Sequence, residues 1–224
     1  MTAPSGHPEY AGEVARSALA RSPGARREPR ECCTVSHPGP RDTDVNGHMP
    51  RISRWLRTRP TRAGRTRVLA VEGRSGSGKS TLATAVAAEL AAPVVRMDDL
   101  YPGWDGLLGG VDALVGWVLR PLSLDRPARW RRYDWAEGAY AEWHEVPATG
   151  ILVLDGTGSG ALAAAPYLSG LLWLEAADEV RKARALERDG DLYAPHWNRW
   201  AAQEERFHLR DDVRARADLT ITTT

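Results

Sequence analysis

Val68-Leu69-Ala70-Val71, followed by Gly73-Arg74-Ser75-Gly76-Ser77-Gly78-Lys79-Ser80 and then KSTLATAVAAELA from Lys79 to Ala91, is the stretch that decides the fold. A short apolar run ending at a glycine-rich turn reads as a parallel strand buried on both faces. The run of good helix formers after it reads as a helix. Between the two, G-x-x-x-x-G-K-[ST] is met at every specified position. Glycines allow backbone conformations in which successive N–H groups point inward and cradle phosphate oxygens. The helix that follows adds its positive N-terminal end to the same pocket. In such a loop Gly73, Ser75, Gly76, Ser77, Gly78, Lys79, Ser80 and Thr81 contact the phosphates of a nucleoside triphosphate, with ATP the expected ligand. The Lys79 ammonium is expected at the β- and γ-phosphates and the Ser80 hydroxyl on Mg²⁺. Of the 30 basic residues only Lys79 and Lys182 are lysines, so this chain keeps a lysine where a compact point charge is needed.

Working outward, further strands are expected at 94–97, 151–154, 171–174 and 217–222, each short and apolar or alternating. Val111, Leu114, Val115, Val118 and Leu119 fall on one face of an amphipathic helix. Asp178 can cap a helix running to about Arg188, and another helix follows Pro195. Strands alternating with helices predict an α/β fold: a P-loop NTPase whose five-stranded, mostly parallel sheet carries helices on both faces. The expected P-loop domain covers 66–224.

Residues 1–65 differ in texture. They are rich in Pro and Arg and poor in large apolar residues, and are expected to be mostly disordered, with a short helix near 51–58 carried by Ile52, Trp55 and Leu56. Cys32, Cys33, His37 and His48 match no zinc spacing. The whole chain has 42% hydrophobic and 26% charged residues and a net charge of +1. That balance gives no electrostatic case for nucleic acid or a membrane surface. With no long apolar run and no disulfide framework, a soluble cytoplasmic protein is expected, as monomer or homo-oligomer.

Three constellations bear on chemistry. Ile151-Leu152-Val153-Leu154-Asp155 ends a strand in a carboxylate, which places Asp155 beside the loop to act on Mg²⁺. Met97-Asp98-Asp99-Leu100-Tyr101 puts a carboxylate at the edge of the sheet where open α/β proteins bind ligands, able to take a hydroxyl proton and touch the Mg²⁺ shell. Either Asp98 or Asp99 fits that role. Arg181, Arg184 and Arg188 share one helical face and can close over a triphosphate, with Arg184 or Arg188 on the transferring phosphoryl group. No N-K-x-D element for guanine is present.

Taken in order, GRSGSGKST, MDDLY, Arg132-Tyr133-Asp134-Trp135, ILVLDG and the arginine helix resemble the uridine kinase-like P-loop kinases, a group with phosphoribulokinase-like and bacterial pantothenate kinase-like members. The resemblance covers about 66–222. It implies ATP- and Mg²⁺-dependent phosphorylation of a hydroxyl on a small molecule. It further implies Asp98 as general base, Tyr101, Tyr133 and Asp134 at the substrate, and Arg181, Arg184 and Arg188 in a lid. Uridine kinases carry a base-reading histidine shortly after their Tyr-Asp-Phe element, whereas 136–140 has none and the nearest here is His144. The acceptor is therefore left open. The alternative from another class is a regulatory protein that binds ATP without transferring phosphate. Trp104, Trp130, Trp135 and Trp143 cluster where a substrate would be covered, for stacking or for packing.

Overall fold

The computed structural model describes residues 45–224; the arm before them, with Cys32, Cys33 and His37, lies outside the described residues. Strands β1 (Thr66–Gly73), β2 (Val94–Arg96), β5 (Gly150–Asp155), β6 (Gly170–Glu175) and β7 (Leu219–Thr222) form one sheet in the order β2-β5-β1-β6-β7. Every pairing in it is parallel. This is the five-stranded parallel sheet expected from the sequence.

The central strands β1, β5 and β6 are largely apolar runs because both faces are covered, whereas the edge strand β7 alternates and is mostly exposed. Alternation along β1 sends Val68 and Ala70 to one side and Leu69 and Val71 to the other. Leu69 and Val71 pack with Leu82 and Val86 of α2 (Lys79–Leu90) and with Ile52 and Leu56 of α1 (Val45–Thr58). Val68 and Ala70 join a larger cluster that includes Val111, Leu114 and Val118. Val111 belongs to α3 (Leu107–Ala113), and Leu114 and Val118 to the π-helical stretch at Leu114–Leu119 through which it runs on into α4 (Arg120–Ser123). Trp200 and Phe207 of α6 (Trp197–Asp211) complete the same cluster.

Three local features depart from the sequence expectation. Strands β3 (Ala128–Asp134) and β4 (Ala139–Val146) form a separate antiparallel hairpin, for which no strand was expected. Only alternate residues of its first half, Ala128 and Trp130, are buried, so the arginines between them mask the pattern. Asp178 does not cap α5 (Asp178–Tyr193): Ala177 occupies the cap position, and Asp178 instead accepts a hydrogen bond from Arg181 at 2.6 Å. Finally α1 starts at Val45, six residues before the predicted segment, and turns Ile52, Trp55 and Leu56 onto the fold; a side chain at Gly170 would collide with the Trp55 ring. The helix after Pro195 and the last strand lie where the sequence places them.

Register sets the site. Val71 pairs with Asp155, Arg96 pairs with Asp155 on the other side, and Gly73 pairs with Leu174. The carboxyl ends of three neighbouring strands thus deliver the glycine loop, Asp155 and the Met97–Asp99 turn to one edge.

Candidate active site

The loop from Gly73 to Gly78 turns between β1 and α2 with positive φ at Gly73, Gly76 and Gly78. Gly76 is the tightest point. Its φ is +79°, and a Cβ there would sit 2.0 Å from the Arg181 carbonyl oxygen. Strain of this kind costs about 1–3 kcal/mol before any clash is counted. Gly76→Ala is therefore expected to lower stability by about 2 kcal/mol or more, read as an earlier midpoint in urea unfolding.

The rest of the loop is tied on every side. Lys79 Nζ donates across it to the Arg74 carbonyl at 2.9 Å. Arg181 is buried and donates to the Ser75 carbonyl at 3.0 Å. Thr223 donates to the Ser77 carbonyl at 2.9 Å, and Arg184 donates to Thr223 at 3.0 Å. Two buried glutamates that the sequence analysis did not single out hold the loop from below. Glu204 of α6 accepts from the Ser75 N–H at 2.8 Å, the Ser75 hydroxyl at 2.7 Å and Trp200 Nε1 at 3.1 Å. Glu72 accepts from Gly73, Gly158 and Gly160 N–H groups at 3.0, 2.7 and 2.9 Å, which ties the first loop to the one after β5. Burial pushes the Glu72 carboxyl up to about 7, against the pull of these donors and of Lys79.

Asp155 is 3% exposed; Oδ2 lies 3.5 Å from Arg96 Nη1, while Oδ1 is buried without a hydrogen-bond partner. An orphaned carboxylate oxygen at this depth is costly unless a cation or a bound water meets it. Among the described residues no group of three or more His, Cys, Asp or Glu could hold a metal alone. A cation here would take ligands from Asp155, Ser80, water and phosphate oxygens, a donor set that suits Mg²⁺.

Among the described residues three cavities border the loop, and two of them bear on chemistry. One, of about 340 Å³, is bordered by Gly76, Gly78, Thr81, Leu82, Arg184 and the Ile221–Thr224 segment. The other, of about 270 Å³, is bordered by Ser75, Asp98 and five aromatic residues: Tyr101, Trp104, Trp135, Tyr193 and Trp200. Arg188 borders both. Asp98 borders this cavity, accessible to solvent yet closely surrounded by protein. Burial, then repulsion from Asp155, pushes its carboxyl up to about 6, with Lys79 and Arg188 pulling the other way. Asp99 does not border the cavity; burial raises its pKa while Arg96 and Arg132 oppose the shift.

The polar tips of three of the five aromatics are taken up by protein partners. Tyr101 donates to the Thr157 carbonyl at 2.5 Å, Trp135 to the Asp98 carbonyl at 3.0 Å and Trp200 to Ser75 and Glu204. Trp104 stacks on Tyr193 and His196 with centroids 5.5 and 4.3 Å apart. Of the four tryptophans noted from the sequence, Trp104 and Trp135 border the cavity. Trp130 is buried under His144, and Trp143 is exposed beneath Arg129 and Arg131. Tyr133 and Asp134 stand outside the cavity wall. Tyr133 packs edge-on against Trp135 and Tyr140, and Asp134 accepts from Ala136, Glu137 and Arg132 to shape the hairpin turn.

The chain matches no family model and no curated protein. Solved structures do share its fold. One described as a possible uridine kinase from Bacillus stearothermophilus superposes with a TM-score of 0.58 at 18% identity, over 79% of this chain and 98% of that one. Another, described as a candidate fructose transport system kinase from Silicibacter sp. TM1040, gives 0.51 at 22% identity, over 76% and 96%. The protein has the α/β fold of P-loop kinases.

Among the described residues no helix is long and apolar enough to cross a membrane.

Proposed function

We propose that this protein is a small-molecule kinase that moves the γ-phosphate of ATP to a hydroxyl group. The observation that carries this is the pair of cavities bordered by the glycine loop, one holding Asp98 and both meeting at Arg188. In-line transfer needs the attacking and leaving oxygens on opposite sides of the phosphoryl group. The cavity beside Thr81 and Arg184 receives the nucleotide, and the aromatic cavity receives the acceptor.

In the transfer step the acceptor hydroxyl gives its proton to Asp98 as its oxygen bonds the γ-phosphorus. The bond from that phosphorus to the bridging oxygen breaks, and ADP leaves. A carboxylate with a pKa of about 6 is ionised at neutral pH and more basic than an ordinary aspartate, which suits a general base. Lys79 and Arg188 neutralise charge on the phosphoryl oxygens. Ser80 and Asp155 would hold Mg²⁺, which would supply further charge neutralisation at the phosphates. Residues 66–224 form the kinase domain.

The wall of rings favours an acceptor with a flat or apolar body. A site built to read a nucleobase or a sugar phosphate needs donors and acceptors pointing at it. Incubation with labelled ATP and Mg²⁺ over nucleosides, pantothenate, sugars, sugar phosphates and ring-bearing alcohols tests the reading. Transfer to at least one neutral alcohol is expected. Absence of transfer to any of them, in a protein that binds ATP, leaves the regulatory alternative in its place.

A further inference from the structure

We infer that α1 forms part of the nucleotide site, with His48 lying against the nucleobase of ATP. The inference rests on the loop holding a triphosphate and goes beyond it, because α1 lies outside the stretch that resembles the kinases.

His48, Ile52 and Leu56 stand at i, i+4 and i+8 of α1, one face of one helix. Ile52 and Leu56 are 2% and 0% exposed, seated in the cluster that contains Leu82 and Leu174 and is joined by Ile221. The same geometry carries His48 one turn past that cluster, to the mouth of the 340 Å³ cavity, where Leu82, Leu174 and Ile221 are also wall residues. The cavity wall therefore combines two chemistries. Glycine-loop residues and arginines Arg184 and Arg188 are suited to phosphates. Aliphatic side chains and a half-buried imidazole are suited to a flat heteroaromatic ring. The packing of Ile52 and Leu56 fixes the helix, so the imidazole is presented by a rigid element rather than by a loop.

Binding of MgADP and of inorganic tripolyphosphate, each measured by calorimetry on the full chain and on His48→Ala and His48→Phe, separates the base from the phosphates. His48→Ala is expected to weaken MgADP about five-fold, the size of one lost ring contact, and to leave tripolyphosphate unchanged. His48→Phe, which keeps a flat ring, is expected to recover most of the loss. Unchanged MgADP affinity in His48→Ala, or equal weakening of both ligands, overturns the inference while leaving the kinase reading intact. A wild-type chain that binds neither ligand overturns both. An unchanged thermal transition in His48→Ala ties a loss to the contact rather than to unfolding.

Discussion

Lys79→Ala is expected to reduce phosphoryl transfer by on the order of 10³, with the folded state retained. The side chain is 8% exposed and makes one hydrogen bond, to the Arg74 carbonyl, worth about 1 kcal/mol to the fold. Its charge, by contrast, faces a site crowded with anions. Glu72 and Asp98 both have their carboxyl pKa pulled down by Lys79, and a triphosphate adds more negative charge. Removing the ammonium leaves that charge opposed chiefly by the arginines and the loop N–H groups. Steady-state ATP consumption with an accepted alcohol, alongside a thermal melt, makes the test. Wild-type turnover in a folded Lys79→Ala protein would contradict the assignment of the loop.

Asp98→Asn is expected to lower kcat by about 10²–10⁴ while ATP still binds. Asparagine fills the same space but cannot take the hydroxyl proton. It also removes the repulsion between Asp98 and Asp155, so nucleotide affinity should hold or tighten. The pH profile gives an independent signature. The Asp98 pKa is raised to about 6, and only the ionised form acts as a base. Wild-type kcat should therefore fall about tenfold per unit as pH drops below about 6, and lie flat above it. The residual rate of Asp98→Asn should lack that acid limb. Equal rates in the two proteins would remove Asp98 from the proton transfer.

What the sequence made legible follows from the range of the interactions. The glycine loop, its strand and its helix lie within 25 consecutive residues, so local spacing alone carries them. The parallel sheet was legible because strands buried on both faces write themselves as unbroken apolar runs. The helix that runs through the π-helical stretch at Leu114–Leu119 still buries Val111, Leu114, Val118 and Leu119, with Val115 partly buried against the same cluster. Glu204 had no such mark. It reaches Ser75 across 129 positions of chain, and a glutamate on an otherwise charged helix looks like solvent surface. Glu72 sits inside the strand run and looks like an interruption until its three N–H partners come round from Gly73, Gly158 and Gly160. The arginine face divides in a way helical spacing does not show. Arg181 grips the loop carbonyl and Arg184 the Thr223 hydroxyl, while Arg188 borders both cavities.

Ser75 has all three of its polar groups engaged. Its N–H and hydroxyl are held by Glu204, its hydroxyl also by Trp200, and its carbonyl by Arg181. One residue thereby joins the phosphate cradle to the ring wall of the second cavity. In the proposed kinase a shift of the loop on taking up phosphate would be felt at Trp200, and a ligand pressing on Trp200 would be felt at the loop. Linkage then requires the two effects to be equal: the factor by which nucleotide alters affinity for the alcohol is the factor by which the alcohol alters affinity for nucleotide.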